Sequence, residues 1–242
     1  MLVIAHRGAR ETHPENTLLA FEQALAGGAT AIELDVHQHQ GELWVIHDSW
    51  VNRTTNGSGP LSWFSADKLK KLDAGQGEHI PTLKETLRYL SGRCALNIEL
   101  KGMDDIALLL EHLDYAITHC HFTHEQLLVS SFNHHWLAEL KRLHPAIKLA
   151  ALTANKPIGL CQFAQQLNAY SINVDIDVID SEMVQDAKMR GLKVFVYTVN
   201  RPQDWQRLHS MEVDGIFCDD PSRAVDYFSP STTQYPIWPK CE

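Results

Sequence analysis

Ala95-Leu-Asn-Ile-Glu-Leu-Lys101 opens the alternation that decides the fold. It is a short, mostly apolar run with no Pro or Gly, and it reads as a buried strand. Further apolar strands follow at 127–131, 147–152, 171–175, 193–198 and 214–218. Helical patterns lie between them, at 104–118, 133–143, 157–168, 181–190 and 202–211. Strands that alternate with helices imply a parallel sheet. Upstream, Leu2–His6, Thr30–Val36 and Leu43–His47 also read as strands. Eight barrel strands remain if Leu43–His47 is the return arm of a hairpin turning near Gln40-Gly41-Glu42. The expected fold is then an α/β protein, a (β/α)8 TIM barrel with a small hairpin and insertion after its second strand. A doubly wound open sheet is the alternative, but no Gly-rich dinucleotide fingerprint follows any strand.

The remaining segments fit around this frame. Asn16 is the expected N-cap of a helix with the stripe Leu18, Phe21 and Leu25, ended by Gly27-Gly28. Pro81-Thr82 opens another helix, to about Leu90. Residues 49–80 are turn-rich, with a short helix near 65–72, and read as an excursion bordering the barrel mouth. The tail 229–242 contains Pro230, Pro236 and Pro239 and is expected to be irregular. Residues 1–242 suit one barrel domain.

Composition narrows the class. The formal net charge is −9 and no Lys/Arg run occurs, which argues against nucleic acid or an anionic membrane as the main partner. It does not argue against a small phosphate ester, because a local cation dominates at short range. The five cysteines are scattered without a C-x-x-C, as in a reduced, cytoplasmic protein. No basic, apolar leader precedes His6, and no apolar run is long enough to span a membrane. The clusters His121/His124 and His134-His135 are expected on the solvated surface.

In a barrel of this kind reactive groups sit where strands end. His6-Arg7 ends the first strand, Glu33 and Asp35 the second, and Glu99 and Lys101 the third. Phe132 follows the fourth, Tyr197 ends the seventh, and Asp219-Asp220 the eighth. Acids two residues apart on a strand share a face. Paired carboxylates on an apolar strand repel, and a hard divalent cation such as Mg²⁺ or Ca²⁺ removes that cost. If the hairpin turn is centred on Gly41, His47 stands opposite Asp35. Each residue also has a plainer role. His6 could be a hydrogen-bonded structural residue, Glu99 and Lys101 could pair with each other, and Phe132 and Tyr197 could be core or rim. Asp48 either orients His47 or closes the turn, and Asp219-Asp220 reads as a helix N-cap and turn. The coincidence of so many such groups at strand ends favours a catalytic mouth.

The ordered motifs His6-Arg7-Gly8, Pro14-Glu15-Asn16-Thr17, Glu33-Leu34-Asp35-Val36, His47-Asp48, Arg53-Thr54-Thr55 with Gly57, Leu72-Asp73-Ala74-Gly75, Ile80-Pro81-Thr82-Leu83, Asn97-Ile98-Glu99-Leu100-Lys101, Ser130-Ser131-Phe132 and Tyr197-Thr198-Val199-Asn200 resemble the glycerophosphodiester phosphodiesterase family. The resemblance runs from residue 5 to about 221 and is closest to the cytosolic bacterial type. It implies a TIM barrel of the phosphatidylinositol-phospholipase-C-like group. It further implies metal-dependent hydrolysis of glycerophosphodiesters, such as glycerophosphocholine, to sn-glycerol 3-phosphate and an alcohol. Carried residue by residue, it makes Glu33, Asp35 and Glu99 ligands of Mg²⁺ or Ca²⁺, with Mn²⁺ a third candidate. It makes His6 and His47 the acid–base pair, Arg7 and Lys101 phosphate contacts, and Phe132 and Tyr197 substrate contacts. The hairpin turn and the short 73–80 segment depart from the family pattern. A related enzyme cleaving phosphatidylinositol or lysophospholipids would favour an apolar lid. An amidohydrolase barrel would favour His-x-His where His6-Arg7-Gly8 stands. A non-catalytic sensor of glycerophosphodiesters would favour a lost histidine or carboxylate.

Overall fold

The computed structural model describes residues 1–228 and 237–240. Eight parallel strands close into a barrel: β1 (Leu2–His6), β2 (Ala31–His39), β4 (Ala95–Gly102), β5 (Leu127–Ser131), β6 (Lys148–Thr153), β7 (Ser171–Asp175), β8 (Lys193–Tyr197) and β9 (Gly215–Cys218). Closure comes from β1, which pairs with both β9 and β2. The strand β3 (Glu42–Val45) pairs only with β2, antiparallel, and stands outside the wall as the hairpin reading expects. Helices α1 (Leu18–Ala26), α3 (Leu83–Leu90), α4 (Ile106–His119), α5 (His134–Leu143), α6 (Gln162–Gln166), α7 (Ser181–Met189), α8 (Pro202–Ser210) and α9 (Pro221–Phe228) link the barrel strands, and α2 (Ala66–Leu69) lies in the excursion.

Side-chain parity builds two apolar layers. Val3, Ile32, Leu34, Ile98, Val129 and Ile172 point outward and pack against the helices. Leu2, Ile4, Ala31, Ala95, Leu128 and Phe195 point inward and fill the lower barrel. The excursion has its own small core, in which Trp44, Ile46, Val51, Leu61, Leu69 and Ile80 are buried together. Thr82 caps α3 through a reciprocal bond with Glu85, an arrangement worth about 1 kcal/mol.

Three local expectations are corrected. The N-cap of α1 is Thr17, whose hydroxyl accepts from the Ala20 N–H, and Asn16 is left-handed and turned inward. The expected helix 157–168 shrinks to α6, because Leu160 takes a left-handed φ of 48° just before it and Asn168 does so just after. His134 stacks on Phe163 and donates to the Leu152 carbonyl instead of facing solvent. Most of the 229–242 tail lies outside the described residues, but Trp238 is within them. Its ring is buried against Phe195 at the barrel floor, and its Nε1 donates to the Gln126 carbonyl. Removing a buried Trp side chain costs about 3–5 kcal/mol. Trp238→Ala is therefore expected to lower the unfolding free energy by about that amount in urea titrations, and a loss under 1 kcal/mol would contradict the floor-plug role.

Candidate active site

Parity also places the chemistry inside the upper barrel. Glu33 and Asp35 share the inward face of β2 with Ala31, and Asn97 and Glu99 share that of β4 with Ala95. Register aligns His6 with Glu33, and Asp35 with Glu99. The three acids are buried and offer oxygens within 4.8 Å of one another. At such a separation each like-charged pair costs about 3–4 kcal/mol in a medium of effective dielectric about 20.

Neighbours supply part of the countercharge. Arg7 Nε lies 3.1 Å from Asp35 Oδ2, and Lys101 Nζ lies 2.5 Å from Glu99 Oε1 and 3.4 Å from Asp35 Oδ1. Asn16 Nδ2 donates to Asp35 Oδ2 at 2.9 Å, and the Arg7 N–H donates to Glu33 Oε2 at 2.9 Å. A left-handed Arg7 allows that backbone contact, and Gly8 follows with φ 84°. A Cβ on Gly8 would meet the Ala20 carbonyl carbon at 2.7 Å, so only glycine passes there.

Two cations against three carboxylates leave a negative charge uncompensated. Burial and the Asp35 and Glu99 charges push the Glu33 pKa well above the usual range. Burial and Asp35 raise Glu99 to about 7. Burial opposes ionisation of Asp35 too, but Arg7 and Lys101 hold it below its ordinary value. Glu33 Oε1, Asp35 Oδ1 and Glu99 Oε1 are all buried without a well-aligned hydrogen-bond donor. Converging, under-satisfied carboxylate oxygens fit a hard divalent cation.

The two histidines line the same cleft as this cluster, each backed by a carboxylate. His6 Nδ1 donates to Asp219 Oδ1 at 2.7 Å. Asn200 steadies Asp219, donating from Nδ2 to Oδ2 at 2.8 Å and accepting its N–H at 2.9 Å. His47 Nδ1 donates to Asp48 Oδ1 at 2.6 Å. Arg53 clamps Asp48 through Nε at 2.7 Å and reaches Glu15 through both terminal nitrogens at 2.8 Å. His37 Nε2 donates to the His47 carbonyl at 2.9 Å, and its ring fills the space a Cβ on Gly102 would need. With Nδ1 engaged, each ring keeps Nε2 free to take or give a proton. Burial lowers both histidine pKa values, and the neighbouring carboxylates only partly offset it.

His6, Arg7, Glu33, His47, Glu99 and Lys101 line a cleft of about 450 Å³, with Asp35 behind them. Phe132 and Tyr197 line it too, their rings edge to face at 6.1 Å, and Lys101 Nζ lies 5.7 Å from the Phe132 ring centre. The structure thus brings together every site residue expected from the sequence. Lys101 does pair with Glu99, and Arg7 is bolted between Asp35 and Glu15.

Two expectations change. His39 pairs with Glu42, so the hairpin turn is Gln40-Gly41 and Asp35 faces Ile46, one residue short of His47. His47 reaches the site from the loop beyond β3. Asp219 is a histidine partner and not a cap; Asp220 alone caps α9 through the Arg223 N–H. Glu15 and Arg53 were not assigned roles from the sequence, and Asn16 was read only as a cap, although all three lie within the quoted motifs.

Residues 6–223 match the model of the glycerophosphoryl diester phosphodiesterase family. A glycerophosphodiester phosphodiesterase of Caldanaerobacter subterraneus is 40% identical over 235 residues, covering 93% of this chain and 96% of that one. One from Bacillus altitudinis is 35% identical over 236 residues, covering 92% of this chain and 96% of that one. A phosphodiesterase of Oleispira antarctica, solved with its product sn-glycerol-3-phosphate, superposes with a TM-score of 0.86 at 31% identity, covering 94% of this chain and 96% of that one. The chain belongs to the glycerophosphodiester phosphodiesterase family. No helix among the described residues is long and apolar enough to cross a membrane.

The clamp beneath His47 has a pH signature. Burial opposes ionisation of Glu15, but Arg53, Arg7 and Arg10 hold its pKa down from 4.5 to about 2. A depressed carboxylate stabilises the fold above its unfolded pKa and ceases to do so as pH falls through its folded pKa. Arg53→Ala is expected to cost about 1–3 kcal/mol at pH 7. That deficit should shrink between about pH 4.5 and 2. Denaturation midpoints across this range check it, and a pH-independent deficit would contradict it.

Proposed function

We propose that the chain hydrolyses glycerophosphodiesters to sn-glycerol 3-phosphate and an alcohol, with His6 and His47 as the acid–base pair. Glu33, Asp35 and Glu99 hold a divalent cation, and Mg²⁺, Ca²⁺ or Mn²⁺ suits these oxygen donors. The observation that carries this reading is the pair of carboxylate-backed imidazoles in one cleft with a buried cluster of acids. The product complex of the Oleispira relative supports the substrate class.

When bound, the cation supplies charge against the phosphoryl oxygens and acidifies a nearby hydroxyl. Arg7 and Lys101 add positive charge along the same wall. One histidine takes the nucleophile's proton on Nε2, and the other protonates the leaving oxygen, which is a poor leaving group without it. Asp219 and Asp48 stabilise whichever imidazolium forms. The nucleophile is water or the substrate's own glycerol 2-hydroxyl. In the second case a cyclic phosphate forms and the two histidines exchange roles to open it. Phe132 and Tyr197 wall the path along which one arm of the diester lies. The four described cysteines, all free and buried, suit a cytoplasmic setting.

Release of glycerol 3-phosphate from glycerophosphocholine, coupled to a dehydrogenase, tests the reaction. Activity should vanish with EDTA and return with one of the three ions; silence with every ion and several head groups would refute the substrate class. His6→Ala and His47→Ala should each lower kcat/KM by about 10²–10⁴ while calorimetry still detects cation binding. Loss of cation binding in either variant would count against the acid–base assignment.

Cation binding should itself be linked to protons. Glu33 and Glu99 hold protons to higher pH than free carboxylates, Glu99 to about 7. A cation must displace them, so apparent affinity is expected to rise with pH up to about neutrality. Titrations at pH 6 in buffers of different ionisation enthalpy should show proton release; heats independent of buffer would contradict the raised pKa of these acids.

A further inference from the structure

The cleft does not end at Tyr197. Beyond a wall shared through Ile176, Asp177 and Thr198, a second cavity of about 350 Å³ opens toward the start of α8. Nothing in the reaction uses it. Its far side carries Arg201 and Arg207, and Asp177 stands at the threshold. The Arg207 guanidinium is only loosely held, 3.6 Å from Asp204 and 3.4 Å from the Ile176 carbonyl. Among the described residues, the Arg201 side chain and the Asp177 carboxylate have no side-chain partner. The annex therefore offers an acceptor of positive charge at its entrance and donors to negative charge behind it.

Charge, not reach, says which part of a substrate suits this space. The phosphorus must lie against Arg7, Lys101 and the histidines. One diester arm then runs over Phe132 and Tyr197 toward Asp177. Glycerol and an amino-acid alcohol such as serine are both three carbons long, so the charged lining of Asp177, Arg201 and Arg207 suits the charged head group over neutral glycerol. The annex also abuts Asn200, which holds Asp219 behind His6.

Resting on the phosphodiesterase reading above, we propose that the annex is a head-group subsite selective for zwitterionic alcohols that carry a carboxylate beside an ammonium. Asp177 takes the ammonium, and Arg201 and Arg207 take the carboxylate. The discriminating feature is the carboxylate, because ammonium-only head groups leave both guanidinium groups unused.

Glycerophosphoserine and glycerophosphoethanolamine differ by that carboxylate alone. The test measures kcat/KM for both, with the restoring cation present, in the wild type, in the double variant Arg201→Gln/Arg207→Gln and in Arg201→Lys/Arg207→Lys. The wild type should prefer glycerophosphoserine by about fivefold, the size expected for partly exposed charge pairs of about 1 kcal/mol. The Gln pair should erase the preference and the Lys pair should keep most of it. A ratio of rates is insensitive to how much enzyme is folded. A wild type with no preference, or a preference that survives the Gln pair, overturns the annex and leaves the phosphodiesterase reading intact. A wild type that cleaves neither of these nor glycerophosphocholine overturns both.

Discussion

Three acids crowded into the barrel interior are the constraint to which the rest of the mouth answers. Glu33, Asp35 and Glu99 could not be buried together on apolar strands without partners. Their surroundings are built as a response: Arg7 and Lys101 for charge, Asn16 and the Arg7 backbone for hydrogen bonds. Two of these responses need unusual backbone, since Arg7 and Asn16 are both left-handed. Such conformations cost of order 1–3 kcal/mol each and persist only where surrounding contacts enforce them. Here the enforcing contacts are the acids themselves. Even so, the partners stop short of neutrality, and the remaining charge tunes the site for a doubly charged ion.

A second design principle is the separation of what is rigid from what reaches. The cluster sits on β2 and β4, inside the wall and in fixed register. His47 comes from a loop, and loops are less well determined. Its position is recovered by three independent holds: Asp48 on the ring, His37 on the carbonyl, and Arg53 tying Asp48 back to Glu15. Arg53 can do this only because the excursion carries its own apolar core and so presents the side chain at a fixed place. His6 needs fewer holds, since it ends a barrel strand and finds Asp219 at the end of the neighbouring one.

Much of this was legible in the chain itself. The strand and helix alternation, the odd strand outside the wall, and the parity of Glu33, Asp35 and Glu99 all follow from periodicity. What escaped reading has a physical reason in each case. Asn16 looks like a cap because Asn is a good one, but Thr17 can do that work and only Asn16 can reach Asp35. Asp219 stands before a proline helix start, where a cap is the cheaper explanation, and its true partner is 213 residues away. A hairpin register depends on whether one or two residues make the turn, and Gln40 takes a positive φ that its residue type does not advertise. Trp238 follows a proline-rich stretch that carries no periodic signal, so nothing local marks it as core.

That last residue bears on how the molecule is made. Trp238 lies twenty residues beyond the final strand, yet its ring completes the layer formed by Leu2, Ile4 and Phe195. A ribosome delivers β1 well before this side chain. Throughout synthesis the nascent barrel can pair its strands but has an open, greasy floor, the kind of surface that chaperones and other nascent chains bind. The barrel floor is thus closed by a residue from well beyond its last strand, at the end farthest from the chemistry.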